Sequence, residues 1–337
     1  MPKVSVVIPT LNRADRLKKT VELIERQTVP PSEYEVIVID NNSTDHTGSM
    51  LAAQAARYPN LRSFSQAKKG AAATRNVGIR EAKGDIILFI DDDIDAEASL
   101  IESHIRYHRQ NPGSAIIGSV ISPWANTTDP FLRYLRDHKI FSPYDIASGP
   151  LDFSYFHTGN VSAERTILLK AQGFNEEFSL YGMEDIELGY RLEHKERCHM
   201  VSGPEAQGIH QYFPTYDYFI DRCYQAGYSL GKLIELHPEL KKRFTNRPGS
   251  RLLKRIHVCY RAFALVGKPF WGLVSRWEAG RGTGSVNTAL GRHYRWGVRY
   301  HFFLGYNAYG RVGAGGYEEQ ATPVQQRIHG LAIERNE

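Results

Sequence analysis

Apolar β-branched runs alternate with helix-spaced patterns along the first third of the chain. Val4–Ile8 reads as a buried strand, and Arg13–Gln27 as a helix that gathers Leu17, Val21 and Ile24 on one face. Glu35–Ile39 is a second strand and Thr47–Arg57 a second helix, with a short strand over 61–65 ahead of a helix over Ala71–Ala82. Asp85–Ile90 is a third strong strand, followed by a predicted helix from Ala96 to Arg109. Continuous apolar strands interleaved with helices predict an α/β fold with a mainly parallel sheet covered on both faces.

Farther on, Ala115–Ile121 is strand-like, and a loop-rich stretch with Trp124, Pro130, Pro143 and Pro150 follows. Helices are expected over Ser162–Gly173 and Met183–His194, and a strand over Ala206–Ile209. Past His210 the pattern turns to basic, aromatic helices as far as Gly310, and the tail begins Gly-Ala-Gly-Gly after Val312. Three regions result: an α/β domain over 1–215, a helical region over 216–311 and a poorly ordered tail over 312–337. No internal repeat is visible.

Composition narrows the class. The 337 residues are 42% hydrophobic and 23% charged, enough for a sizeable core. The three cysteines, Cys198, Cys223 and Cys259, show neither a disulfide framework nor metal-ligand spacing, which suits a reducing cytoplasm. MPKVSVVIPT enters a strand at once, so no secretory signal is expected, and no uninterrupted apolar run of ~18 residues predicts a membrane span.

Charge is unevenly placed. Lys232 to Arg311 holds sixteen Lys plus Arg against three acids, a balance of +13, so the other residues together carry −8 of the whole-chain +5. Within the basic part, residues 251–277 mix Phe263, Phe270, Trp271 and Trp277 with Arg261 and Lys268. Such a segment suits a helix lying in anionic headgroups, or else an ordinary helical subdomain with its cations solvated.

The polar clusters fall just after the strands, where open α/β sheets bind ligands. Asp91–Asp92–Asp93 either meets a cation, since magnesium or manganese takes one or two carboxylates with waters and phosphate oxygens, or only starts a helix. Asp95 already offers an N-cap for that helix. Asp40 either accepts a pyrimidine N–H, aided by Asn41 and Asn42, or bonds its own turn. Lys68, Lys69, Arg75 and Asn76 around Gly70–Ala73 form a diphosphate site or a solvated helix face. Glu184–Asp185 either complements a helix dipole or supplies a base for a hydroxyl. His210 is a metal ligand or a structural histidine.

Taken in order, VSVVIPTLNRADRL, VIVIDNNSTDHT, GAAATRNVGIREAKGDIILFIDDDI, TGNVSAERTILLKAQGFNEEFSLYGMEDIELGYRL and GIHQYF resemble the family 2 glycosyltransferases of GT-A fold, over roughly residues 3 to 235. The resemblance implies a metal-dependent, inverting transfer of a sugar from a nucleotide diphosphate, UDP favoured, to the hydroxyl of a glycan, glycolipid or small molecule. It implies donor contacts at Pro9, Thr10, Asn12, Arg13, Asp40, Asn42, Lys69, Arg75, Asp91 and Asp92. It further implies Asp185 as base with Glu184 beside it, Gly159 and Asn160 near acceptor and sugar, and Asp93 with His210 on manganese or magnesium. The QxxRW signature of processive synthases is absent after Asp185, and Asp221–Ser229 resembles the non-processive branch. Gly173-Phe-Asn-Glu stands where the family often has Gly-Phe-Asp-Glu. The expected location is the cytoplasm, at or near the inner face of the membrane.

Rival classes fit less. A nucleotidyltransferase wants a glycine-rich basic loop after the first strand, where this chain has Pro-Thr-Leu-Asn-Arg, and no G-x-G-x-x-G serves a nicotinamide enzyme. A basic protein binding nucleic acid or anionic membrane leaves the acidic strand ends idle, and no nucleic-acid partner is expected.

Overall fold

The computed structural model describes residues 2–140, 150–245, 274–280, 282, 286 and 288–312. By contact the chain divides into one unit of Met1–Ser179 with Glu184–Phe213, and another of Leu180–Met183 with the chain from Pro214 onward.

The first unit is a nine-stranded mixed sheet in the order β3-β2-β1-β4-β8-β6-β9-β5, with β7 also paired to β9. Its strands are β1 (Val4–Thr10), β2 (Tyr34–Asp40), β3 (Leu61–Ser65), β4 (Ile86–Ile90), β5 (Ile94–Ala96), β6 (Ala115–Ile121), β7 (Pro150–Leu151), β8 (Asn160–Glu164) and β9 (Met200–His210). β1 to β4 pair in parallel, as does β6 with β9. β8 runs antiparallel to β4 and β6, and β5 antiparallel to β9.

Alternation along the strands sends side chains to two apolar layers. Val4, Val6, Ile8, Val36 and Val38 meet Leu17, Val21 and Ile24 of α1 (Ala14–Ile24), Met50 and Leu51 of α2 (Thr47–Arg57), and Leu100, Ile101 and Ile105 of α4 (Leu100–Gln110). Val7, Ile37, Ile39 and Phe89 face Ile79 of α3 (Ala71–Glu81), Leu168 of α6 (Arg165–Lys170), and Leu188 and Leu192 of α7 (Glu184–His194). α5 (Pro130–Asp137) starts on Asp129, whose carboxylate accepts the N–H groups of Phe131 and Leu132. The α/β expectation holds, and parallel pairing dominates the sheet.

Two expectations are corrected. The helix expected from Ala96 begins at Leu100 after Ser99, because Ile94–Ala96 pairs with Gly208–His210 as β5. Asp95 therefore caps nothing; it holds Arg16 at 2.5 Å and Lys19 at 2.8 Å on α1. The helix expected over Ser162–Gly173 is a strand up to Glu164 and a helix only from Arg165, since β4 and β6 claim Ser162 and Val161 for the sheet.

In the second unit, α8 (Tyr216–Leu236) starts on Thr215, whose hydroxyl accepts the Tyr218 N–H, and a short α9 (Lys241–Thr245) follows. α8 packs closely on α10 (Thr288–Val312); a side chain at Gly305 would overlap the Tyr224 carbonyl, and Tyr228 meets Tyr309 edge to face at 5.0 Å. Most of the amphipathic segment over 251–277, and nearly all of the tail over 312–337, lie outside the described residues. Among the described residues no helix is long and apolar enough to cross a membrane.

Candidate active site

The chain leaves β1 toward β2 and β3 on one side, then returns to β4 on the other. The carboxyl ends of β1 and β4 are therefore the switch point of the sheet. The β1–β4 register stops at Val7–Phe89, two residues before Pro9, which has no N–H to offer a ladder.

Thr10 ends β1, and its hydroxyl donates to Asp92 Oδ2 at 2.7 Å. Arg13 donates through Nη1 to Asp92 Oδ1 at 3.0 Å and Asp93 Oδ2 at 2.6 Å. The pairing of Ile94 with His210 brings the imidazole Nε2 to 3.2 Å from Asp93 Oδ1. His210 also stacks on Tyr212, ring centroids 5.1 Å apart.

Arg75 of α3 is buried and bridges Asp91 Oδ1 at 2.9 Å to Glu184 Oε1 at 3.2 Å. Asp185 accepts the Ile186 N–H on Oδ1 at 2.8 Å, and its Oδ2 faces Nδ1 of His157 at 3.2 Å. Gly159 lies beside Asp91: a Cβ there would sit 3.5 Å from Asp91 Oδ2. Asp91, Asp92, Asp93, Glu184 and Asp185 are thus gathered around two guanidiniums and two imidazoles.

This excess of carboxylates is visible in their protonation. Burial lifts Asp92 to about 6 against the pull of Arg13, with Asp93 adding to the rise. Burial, with Asp185 beside it, lifts Glu184 to about 7 although Arg75 opposes it. Burial also works against ionised Asp93, but His210 and Arg13 outweigh it and hold the group below the ordinary carboxylate value. Asp185 is likewise held low, His157 and Arg75 prevailing over burial.

A divalent metal fits Asp93 and His210. Among the described residues no three such donors converge, yet magnesium and manganese sites commonly combine one or two protein ligands with water and phosphate oxygens. A carboxylate and an imidazole side by side, in an over-acidic cluster, are the chemistry such an ion requires.

The remaining expected residues stand differently. Asp40 sits at the end of β2 opposite Thr10 and accepts the Ser43 N–H at 3.0 Å, a turn bond of its own. Asn12 and Asn42 adopt positive φ, 52° and 65°, which asparagine tolerates. Asn12 Oδ1 accepts the Thr44 N–H, and Asn42 donates to the Ala67 carbonyl, so both tie loops together. Lys69 is exposed on the loop before α3. Asn160 is not brought to the acidic cluster: it is fully buried, its Oδ1 accepts from His104 Nε2 at 2.9 Å, and its Nδ2 donates to the carbonyls of Ser119 and Ala206. Gly118 provides the room its amide occupies.

His157 was not among the sequence candidates. A single histidine 28 positions from its carboxylate partner carries no local pattern, and only the fold unites them.

Residues 5–170 match the family model described as glycosyl transferase family 2. Validoxylamine A glucosyltransferase of Streptomyces hygroscopicus subsp. limoneus is 29% identical over 237 residues, covering 62% of this chain and 51% of that protein. Glycosyltransferase AglE of Haloferax volcanii is 26% identical over 265 residues, covering 76% of this chain and 71% of that one. The chain spans about half the length of the first of these relatives. Among solved structures, mannosyltransferase PcManGT from Pyrobaculum calidifontis, in complex with GDP-Man and Mn2+, superposes with a TM-score of 0.59 at 19% identity, covering 92% of this chain and 87% of that one. That likeness shows the fold, which is of GT-A type.

Proposed function

We propose that the chain is a family 2 glycosyltransferase that moves a sugar from a nucleotide diphosphate donor to an acceptor hydroxyl, with inversion at the anomeric carbon. The observation that supports this most is the meeting of Asp91, Asp92 and Asp93 with Asp185 through the Arg75–Glu184 bridge, at the switch point of the sheet.

The nucleoside lies along the ends of β1 and β2, by Pro9, Thr10, Asn12 and Asp40, with Asn42 closing the loop. Asp40 gives one oxygen to Ser43 and keeps acceptor capacity for a pyrimidine N–H, which favours UDP. Asp91 and Asp92 face ribose and sugar, Gly159 leaves space beside Asp91, and Arg13 and Lys69 attract the diphosphate. Asp93 and His210 would hold manganese or magnesium, which when bound supplies positive charge for the departing diphosphate.

The acceptor oxygen attacks the anomeric carbon as the bond to the diphosphate oxygen breaks and that oxygen leaves with the electron pair. The acceptor proton passes to Asp185. Being ionised at neutral pH, Asp185 is ready to accept it, a contribution of roughly 10²–10⁴-fold. Glu184, tied to Arg75, holds the arginine between the donor-side and acceptor-side carboxylates.

Residues 1–215 form the catalytic region in this reading, with a glycan, glycolipid or small hydroxyl compound as acceptor. The basic, aromatic 216–311 region suits contact with an anionic membrane surface on the cytoplasmic side. Asp221–Ser229 agrees with a single transfer per encounter. Asp185→Asn tests the core of the reading: transfer is abolished while calorimetry finds donor affinity within about threefold of wild type. Equal loss of donor affinity would remove Asp185 from the base role.

A further inference from the structure

Asp185 has a histidine at its carboxylate. His157 lies two residues before Gly159, and its Nδ1 is 3.2 Å from Asp185 Oδ2. An ionised carboxylate only accepts, so the hydrogen sits on Nδ1. With the Ile186 N–H on Oδ1 at 2.8 Å, both carboxylate oxygens are held and the side chain has a fixed orientation. The imidazole is about one-third exposed, so its protonation can follow the solvent.

Charge decides which form of the imidazole belongs there. Asp185, Glu184 and Asp91 all act on His157, and all three favour the cation. Arg75, which also acts on Asp185, is already shared between Asp91 and Glu184. Glu184 crowds Asp185 in sequence and in space, and without a further positive charge the two carboxylates would compete for one ionisation.

We propose that His157, as an imidazolium, is the positioning residue of the base: it orients Asp185 and keeps it ionised beside Glu184 and Asp91. This rests on the reading of Asp185 as the base. Transfer needs Asp185 without its proton, and the imidazolium holds it in that state where acid pH would otherwise return the proton.

The directions agree with the geometry. Burial alone would lower His157, but the Asp185 bond and the surrounding carboxylates outweigh it, leaving the imidazole above its ordinary 6.5. Asp185 moves the opposite way, below 3.8, with His157 the leading opponent of burial. The rate therefore rises through the lowered range of Asp185, and when His157 gives up its charge at higher pH Asp185 stays ionised. His157→Asn keeps an N–H donor near the Nδ1 position without the charge. In that variant the acid limb moves to higher pH. His157→Ala removes donor and charge together.

Two measurements on the full chain decide it. In the first, imidazole resonances are titrated by NMR, with His157 assigned by its loss in His157→Asn. His157 is expected to titrate above 6.5 in wild type and to fall toward or below that value in Asp185→Asn. A His157 that titrates at its ordinary value in both proteins overturns the proposal. The second is the pH profile of turnover with UDP-glucose, GDP-mannose and dTDP-glucose as probes. The wild-type to His157→Asn rate ratio should be largest at the acid end of the profile and fall toward a constant as pH rises, by up to roughly tenfold for each tenfold change in the proton affinity of Asp185. Superimposable profiles differing only in height would leave His157 a structural residue and overturn its role alone. If no probe is turned over at any pH, the transferase reading falls, and the base role with it.

Discussion

Glu184→Gln removes a buried charge while keeping the shape and the acceptor for Arg75. Glu184 is 7% exposed, with one oxygen on Arg75 at 3.2 Å and the other buried with no hydrogen-bond partner among the described residues. Burial and Asp185 lift it from 4.5 to about 7. A group raised in the folded state favours folding while protonated and loses that contribution as pH rises through the folded value. Between pH 5 and pH 8 ionised Glu184 thus costs the folded protein about 2–3 kcal/mol that glutamine does not. Guanidinium unfolding of both proteins at pH 5, 6, 7 and 8 reads this directly. The stability of Glu184→Gln relative to wild type should grow by that amount across the series, most steeply between 5 and 7. Constant offset, or an advantage that shrinks with pH, would refute the assignment of Glu184 as a charge held against its preference.

The helical unit gives a paired test. Gly305→Ala sets a Cβ against the Tyr224 carbonyl and should destabilise by about 1–3 kcal/mol, whereas Gly291→Ala, in open space on the same helix, should gain up to ~1 kcal/mol. Thermal melts with the two substitutions moving the midpoint in the same direction would contradict the close α8–α10 contact. For the basic region, flotation with anionic liposomes should carry the protein upward at low salt and release it at high salt; protein left wholly in the soluble fraction at low salt would count against membrane contact.

Much of the fold was legible in the chain. Val4–Ile8 and Glu35–Ile39 are continuous apolar runs because helices cover both faces, and the structure places strands there. Thr47–Arg57 and Ala115–Ile121 appear with the expected bounds. What escaped was structure set by distant partners. Ser162–Gly173 has helical spacing, but Ser162 and Ala163 sit opposite Leu88 and Ile87 of β4, and sheet pairing overrides local preference. β5 is three residues long and exists through its pairing with β9; that pairing also sets His210 beside Asp93.

Asp91–Asp93 were legible because they follow β4, whose carboxyl end lies beside that of the parallel β1; Glu184 and Asp185 open α7 and were legible only as an acidic pair at a helix start. The direction of individual side chains was not. Asn160 sits beside Gly159 in sequence, yet it opens β8, where its amide turns inward to the carbonyls of Ser119 on β6 and Ala206 on β9. Its amide accordingly enters a buried network with His104, which burial depresses to about 4. Arg75 read as a phosphate contact but is committed to two carboxylates, a long-range pairing no spacing rule contains. His157 was invisible for the same reason.

The most direct test of the central claim is donor-dependent thermal stabilisation, measured with UDP-, GDP- and dTDP-sugars, with and without manganese, on wild type and Asp93→Ala. The account predicts that one nucleotide family stabilises wild type by about 2.7 kcal/mol at a hundredfold excess over its dissociation constant. It also predicts that this gain requires manganese and disappears in Asp93→Ala. Stabilisation that is equal without metal, or equal in Asp93→Ala, would contradict the metal-assisted donor site at the ends of β1 and β4.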